Sequence, residues 1–123
     1  MTSLIYHIAT AADWERALAD GEYRTSTRGR SLADEGFIHA STAGQVPAVA
    51  DAFYSGDKDL LLLVIDTDRV EPEIRYEHVP GSGEPFPHIY GPLRVSAVVR
   101  TLPLNPDPAG RFSFPADDGR PAV

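Results

Sequence analysis

Three histidines stand where strand-like runs would carry apolar side chains: His39 within EGFIHAST, His88 within PFPHIYGPL and His7 within LIYHIAT. Imidazole brings chemistry that its neighbours lack. Its ordinary pKa of about 6.5 lets it take or give a proton near neutrality, and either ring nitrogen can bind a metal. Alternation along a strand puts His39 on one face with Phe37 and Ser41, and His88 on one face with Tyr90. His7 shares a face with Ile5 and Ala9. If these strands are neighbours, His7, His39, Ser41, His88 and Tyr90 line one concave site, bordered by the Gly/Pro loop 80–87. The alternative is three histidines satisfied separately at strand ends, the commoner outcome for any one of them. A buried polar group without a partner costs roughly 1–3 kcal/mol, so each imidazole must be paired somewhere. The fourth histidine, His78, follows Glu77 in another strand-like run.

Several chemistries find no support. The chain has no cysteine, which removes disulfides, thiolate metal sites and cysteine nucleophiles. A three-histidine zinc or iron site usually draws two ligands from H-x-H or H-E-x-x-H, and neither occurs, so no metal is expected. Ser41 and Ser82 lack the G-x-S-x-G elbow of a serine hydrolase. The GSGEP loop follows a strand but runs into prolines instead of a helix N-terminus, so it is no phosphate loop.

The elements that must carry these residues fit one domain. A chain of 123 residues, 42% hydrophobic and 24% charged, can bury a core without metal or disulfide support. Its net charge of −7 disfavours nucleic acid as a partner. The longest apolar run, LLLLVI, is too short to span a bilayer, and no signal peptide is evident, so a cytoplasmic location is expected. Arg24, Arg28 and Arg30 form a small basic cluster that could meet a phosphate.

SLIYHIA predicts a first strand. A short helix follows, capped by Thr10 or Asp13, presenting Trp14, Ala17 and Leu18 to the core and closed by Gly21. GEYRTST predicts a second strand, TRGRSLADE a polar loop and EGFIHAS a third strand. A second helix over 43–54 has Val46, Val49, Ala50 and Phe53 on its apolar face. DLLLLVID predicts a strand buried on both faces. EIRYEHV, HIYGPL and VSAVVRTLPL then predict three more strands, with an irregular proline-rich tail after residue 104. The order is α+β: a small, split, mostly antiparallel sheet with two short helices, in one domain over 1–104.

The stretches YHIAT, SLADEGFIHAST, Gln45 through Tyr54, RYE and FPHIYGPL resemble the bacterial family called domain of unknown function 952, over residues 4–104. At greater distance the order resembles the ADP-ribosyltransferase fold, whose split sheet forms a cleft for NAD. That resemblance implies His7 at the ribose-binding histidine, with Ile8 in place of the fold's glycine. It also implies that Phe37 or His39 faces the nicotinamide. The late glutamate of that fold has no match in PHIYGP, although Glu77 and Glu84 are nearby. A histidine-centred variant, like the RNA 2′-phosphotransferases that use Arg and His, is also implied.

The catalytic candidates are therefore His7, His39 and His88, with Ser41, Tyr90, Phe37, Glu77, Arg24 and Arg28 as ligand contacts. The expected ligand is a small nucleotide-like molecule, NAD as substrate included, and the expected activity ADP-ribosyl or phosphoryl transfer. The rival is a binding or interaction module that keeps the fold without the chemistry.

Overall fold

Strands β1 (Leu4–Thr10), β2 (Glu22–Tyr23), β3 (Thr25–Thr27), β4 (Arg30–Ser31), β5 (Ile38–His39), β6 (Leu60–Asp66), β7 (Ile74–His78), β8 (Pro85–Ile89), β9 (Leu93–Arg94) and β10 (Val98–Leu104) are interleaved with three α-helices. These are α1 (Ala11–Asp20), α2 (Leu32–Glu35) and α3 (Val46–Phe53). The structure is a computed structural model, and it describes residues 3–27, 29–81 and 83–115. It is α+β, and the strand pairs are antiparallel.

The apolar run LLLLVID becomes β6, the middle strand of a β1-β6-β10 sheet. Consecutive residues of a strand face opposite ways, so β6 feeds two cores. Leu63 and Ile65 pack with Ile5, Trp14, Tyr23, Ile38 and Ile89 on one side. Leu60, Leu62 and Val64 pack with Ile8, Val46, Ala50, Leu104 and Phe112 on the other.

A second sheet, β5-β8-β7, holds the other histidine strands, with β8 in the middle. The sheets meet where β1 bridges the end of the β5 segment. Tyr6 and Ser41 exchange backbone hydrogen bonds of 2.8 and 2.7 Å. The split sheet is thus stitched at its seam by residues flanking His7 and His39.

Helix ends are set locally. The Thr10 hydroxyl accepts from the Asp13 N–H, and Gly21 at φ 86° closes α1. Trp14 is buried, as its helical spacing predicts. Leu18 is not: it is 46% exposed, because the buried stripe of α1 is narrow and holds only Trp14 and Ala17. Phe53, expected in the core, is 62% exposed. It is the last residue of α3, at the end of the stripe formed by Val46, Val49 and Ala50.

Within the 27–35 segment, expected as a polar loop, residues 30–35 are regular structure. They form β4 and the single helical turn α2, so there are three α-helices among the described residues instead of two. A reciprocal cap makes the turn: the Ser31 hydroxyl accepts from the Asp34 N–H, and the Asp34 carboxylate accepts from the Ser31 N–H, each at 3.1 Å. Gly36, at φ 87°, supplies the left-handed residue that ends it. The predicted strand EGFIHAS shrinks to Ile38–His39, and GEYRTST splits into β2 and β3, which pair with different partners.

Residues 105–115 are irregular, with Phe112 buried and Phe114 edge-on to Tyr6 at 5.1 Å. Among the described residues no helix is long and apolar enough to cross a membrane.

Candidate functional site

β5 and β8 are paired so that His39 and His88 lie directly opposite each other. Cross-strand neighbours on one face bring side chains into contact, and here the two rings are 5.3 Å apart. His39 Nδ1 lies 3.3 Å from His88 Nε2. On the other flank of β8, Arg75 is opposite His88, which makes Glu77 its diagonal neighbour. The Glu77 carboxylate Oε1 is 2.9 Å from His88 Nδ1 and also accepts the Tyr90 hydroxyl. Glu77, His88 and His39 therefore form one continuous hydrogen-bonded chain across three strands.

His88 is buried, with the Phe37 ring stacked on it at 4.0 Å and 15°. Phe37 also leans on Tyr90 at 5.6 Å, and Arg75 sits 4.8 Å from the centre of the Tyr90 ring. The hydrogen bonds from Tyr90 and His88 hold the Glu77 carboxyl below its ordinary pKa, and the same bond raises that of Tyr90. His39 is lowered to about 4, chiefly by burial and then by the neighbouring His88; Glu35 partly opposes this.

His39 lines a cleft of about 470 Å³ together with Thr27, Arg30, Glu35, Phe37, Val49, Phe53, Val79, Pro80 and Phe86. That volume suits a small ligand. Of the segment 80–87, expected as a loop, Pro80 and Phe86 line the cleft, but residues from Pro85 on belong to β8. The exposed Phe53 belongs to this wall. A second hollow, about 530 Å³, lies at the start of α1 beside Lys58 and Asp59, and no histidine lines it.

One atom of His39, a residue of the cleft wall, stands apart. His39 Nε2 is buried and has no hydrogen-bond partner. Such atoms are rare in folded proteins and cost roughly 1–3 kcal/mol unless a ligand or water satisfies them.

The sequence-predicted site is therefore only partly assembled. His39 and Phe37 line the cleft, while His88, Glu77 and Tyr90 form the layer behind them. His7 does not reach it. His7 Nδ1 hydrogen-bonds the His39 carbonyl at 2.5 Å, and its Nε2 lies 2.8 Å from the Tyr23 hydroxyl, so both nitrogens are occupied. It is a satisfied core histidine that anchors the backbone of His39. Ser41 is buried at the β1 seam and is absent from the cleft lining. Arg24, between β2 and β3, is paired with Glu22 beside a different hollow. Arg28 lies outside the described residues.

Arg30 is the cation that does line the cleft, and Glu35 is the carboxylate. Thr27 donates to Glu35 at 3.2 Å. Glu35 and Thr27 were not singled out by sequence reasoning. The available signal was the Ser31–Asp34 cap followed by Gly36, which places Glu35 at the end of a helical turn entering β5. Replacing Ser31 with alanine is expected to lower stability by about 1 kcal/mol in urea denaturation. An unchanged midpoint would mean that the cap does not hold α2.

Comparison with known proteins places the fold. The model of a family described as "Protein of unknown function (DUF952)" matches residues 8–101. The X-ray crystal structure of protein CC0527 from Caulobacter crescentus is similar, with a TM-score of 0.79 and 33% identity over 90% of this chain and 94% of that one. The solution NMR structure of CC0527 gives a TM-score of 0.72 and 37% identity, over 88% and 90% of the two chains. No curated protein matches the chain.

Proposed function

We propose a function for a chain that belongs to the DUF952 family, on the premise that its fold is the family's own: the His39 cleft binds a small nucleotide-like molecule. His39 Nε2 is the atom that accepts a proton or hydrogen bond from it. The observation that carries this reading is the buried, unpartnered Nε2 of His39, a residue that lines the cleft. The surrounding groups suit such a ligand. Phe37, Phe53 and Phe86 offer aromatic surface for a base, and Arg30 offers a cation for a phosphate.

ADP-ribosyl transfer from NAD is the enzymatic form of this reading, and motif order is what speaks for it. Departure of nicotinamide passes through an oxocarbenium-like state, which a nearby carboxylate favours. In this cleft Glu35 would serve that role in place of the missing late glutamate. The hydroxyl-binding imidazole would be His39, because His7 has both nitrogens engaged. The non-catalytic alternative is favoured by one feature, that the carboxylate comes from α2 and not from a late strand.

A thermal-shift series with NAD, ADP-ribose, AMP and divalent metal salts tests the reading. A ligand at a hundred times its Kd stabilises by ~2.7 kcal/mol, several degrees for a domain of this size. NAD, ADP-ribose or AMP is expected to raise the midpoint, and His39→Ala to abolish the rise. No shift with any nucleotide would overturn the proposal. Release of nicotinamide from NAD separates transfer from binding alone.

A further inference from the structure

The chain Glu77–His88–His39 has a direction, and its acidic end sets it. A carboxylate only accepts hydrogen bonds. Tyr90 donates to Glu77 from one side, so the ring at 2.9 Å on the other side must carry its hydrogen on Nδ1. A neutral His88 protonated there has a bare Nε2, which can only accept. His39 must then carry its hydrogen on Nδ1, across 3.3 Å. A neutral His39 so protonated has its lone pair on Nε2, the buried atom without a partner.

We propose that His88 and Glu77 are positioning residues that make His39 Nε2 the proton acceptor of the cleft, and that a proton taken up there comes to rest on His88. This rests on reading His39 as the ligand-facing acceptor, but it concerns a step that the ligand reading does not contain. The step balances. A ligand O–H bond breaks and an H–Nε2 bond forms on His39. The Nδ1–H bond of His39 breaks and an Nε2–H bond forms on His88. The ligand oxygen keeps the electron pair, and His39 is neutral again in its opposite tautomer. The positive charge lies on His88, beside the Glu77 carboxylate.

Placement of the charge explains the arrangement. On His39 it would be stranded in a largely apolar wall with Arg30 in the same cleft and Glu35 as the carboxylate of the described lining. On His88 it forms an ion pair with Glu77, whose other neighbours are the Tyr90 hydroxyl and, beyond that ring, Arg75. The Phe37 ring stacked on His88 covers this second site from one face. Glu77 is 36% exposed and is no part of the cleft lining, so the relay leads away from the ligand toward solvent.

The test needs no ligand. Long-range proton–nitrogen correlation spectra of the nitrogen-15-labelled full chain at pH 7.5 report the tautomer of each ring. Both His39 and His88 are expected as the Nδ1–H form, the opposite of what free imidazole side chains favour in water. In Glu77→Leu, His88 loses its acceptor and returns toward Nε2–H, and His39, which touches no mutated atom, follows it. A wild-type His39 with hydrogen on Nε2 would overturn the relay. So would a His39 signal that stays Nδ1–H in Glu77→Leu. Should that variant fail to fold, the wild-type pattern still decides. A nucleotide series without any thermal shift leaves these tautomers untouched, so the two readings fail separately.

Discussion

Truncation of Leu62 or Leu63 to alanine is expected to cost roughly 2–5 kcal/mol each, the range for a fully buried leucine that leaves a cavity. Both side chains are completely buried, yet they belong to different cores. Leu63 points toward Trp14, Tyr23, Ile38 and Ile89, and Leu62 toward Val46, Ala50 and Leu104. β6 is paired on both edges, so its backbone is fixed by β1 and β10 and cannot move to fill either hole. Because the two cavities open on opposite faces, the double variant should lose close to the sum of the single losses. Domains of this size have only about 5–15 kcal/mol in total, so the double variant should be largely unfolded under mild conditions. Urea denaturation of the three variants measures this. A loss under about 1 kcal/mol for either single change would mean that its side of β6 is not a packed core.

The same strand shows what a sequence can and cannot reveal. An unbroken run of leucines bounded by aspartates has one economical home, a strand covered on both faces, and that reading holds for β6. Placing His7, His39 and His88 on strands also needed only local pattern. Their grouping did not follow from it. His7 shares a strand face with Ile5 and Ala9, both core residues, and that association already assigned it to the interior. The contact of His39 with His88 depends on a register between strands 49 residues apart, and Glu77 joins only as a diagonal neighbour across β8. No spacing in the chain encodes either. Helical periodicity likewise gave a direction for Leu18 and Phe53 but not how far the buried surface reaches beneath them. Phe53 thereby passed from expected core to cleft wall. The α2 turn was missed because a four-residue helix has no period to detect; its cap, Ser31 with Asp34, and the closing Gly36 were the marks it left.

Acid should weaken the fold through His7. Burial pushes its pKa down to about 4, the bond to the His39 carbonyl opposes this only in part, and the His39 ring adds to the lowering. In the unfolded chain the same ring titrates near 6.5. A base whose folded pKa is depressed binds fewer protons folded than unfolded, so stability falls as pH drops from about 6.5 to about 4. For His7, which is 3% exposed, that interval corresponds to ~3 kcal/mol. His39 contributes in the same direction, since its pKa is lowered also. Glu77 acts in a lower window. Its carboxyl is held below the ordinary 4.5, so its share is present above that pH and is lost as the folded group protonates. The geometry says why His7 resists a second proton. Its Nδ1 donates to a carbonyl, so the proton must enter at Nε2, and Nε2 is the acceptor for the Tyr23 hydroxyl. Protonation turns that contact into donor against donor unless the buried hydroxyl rotates away. Urea denaturation at pH 7.5, 6, 5 and 4.5, on the wild type and on His7→Gln, isolates the effect. The glutamine keeps a donor and an acceptor but does not titrate, so its variant starts less stable and declines less over the same range. Parallel declines in the two proteins would remove His7 as the source. Well above pH 6.5 the His7 ring is neutral in both states, and the difference between the two proteins should become independent of pH.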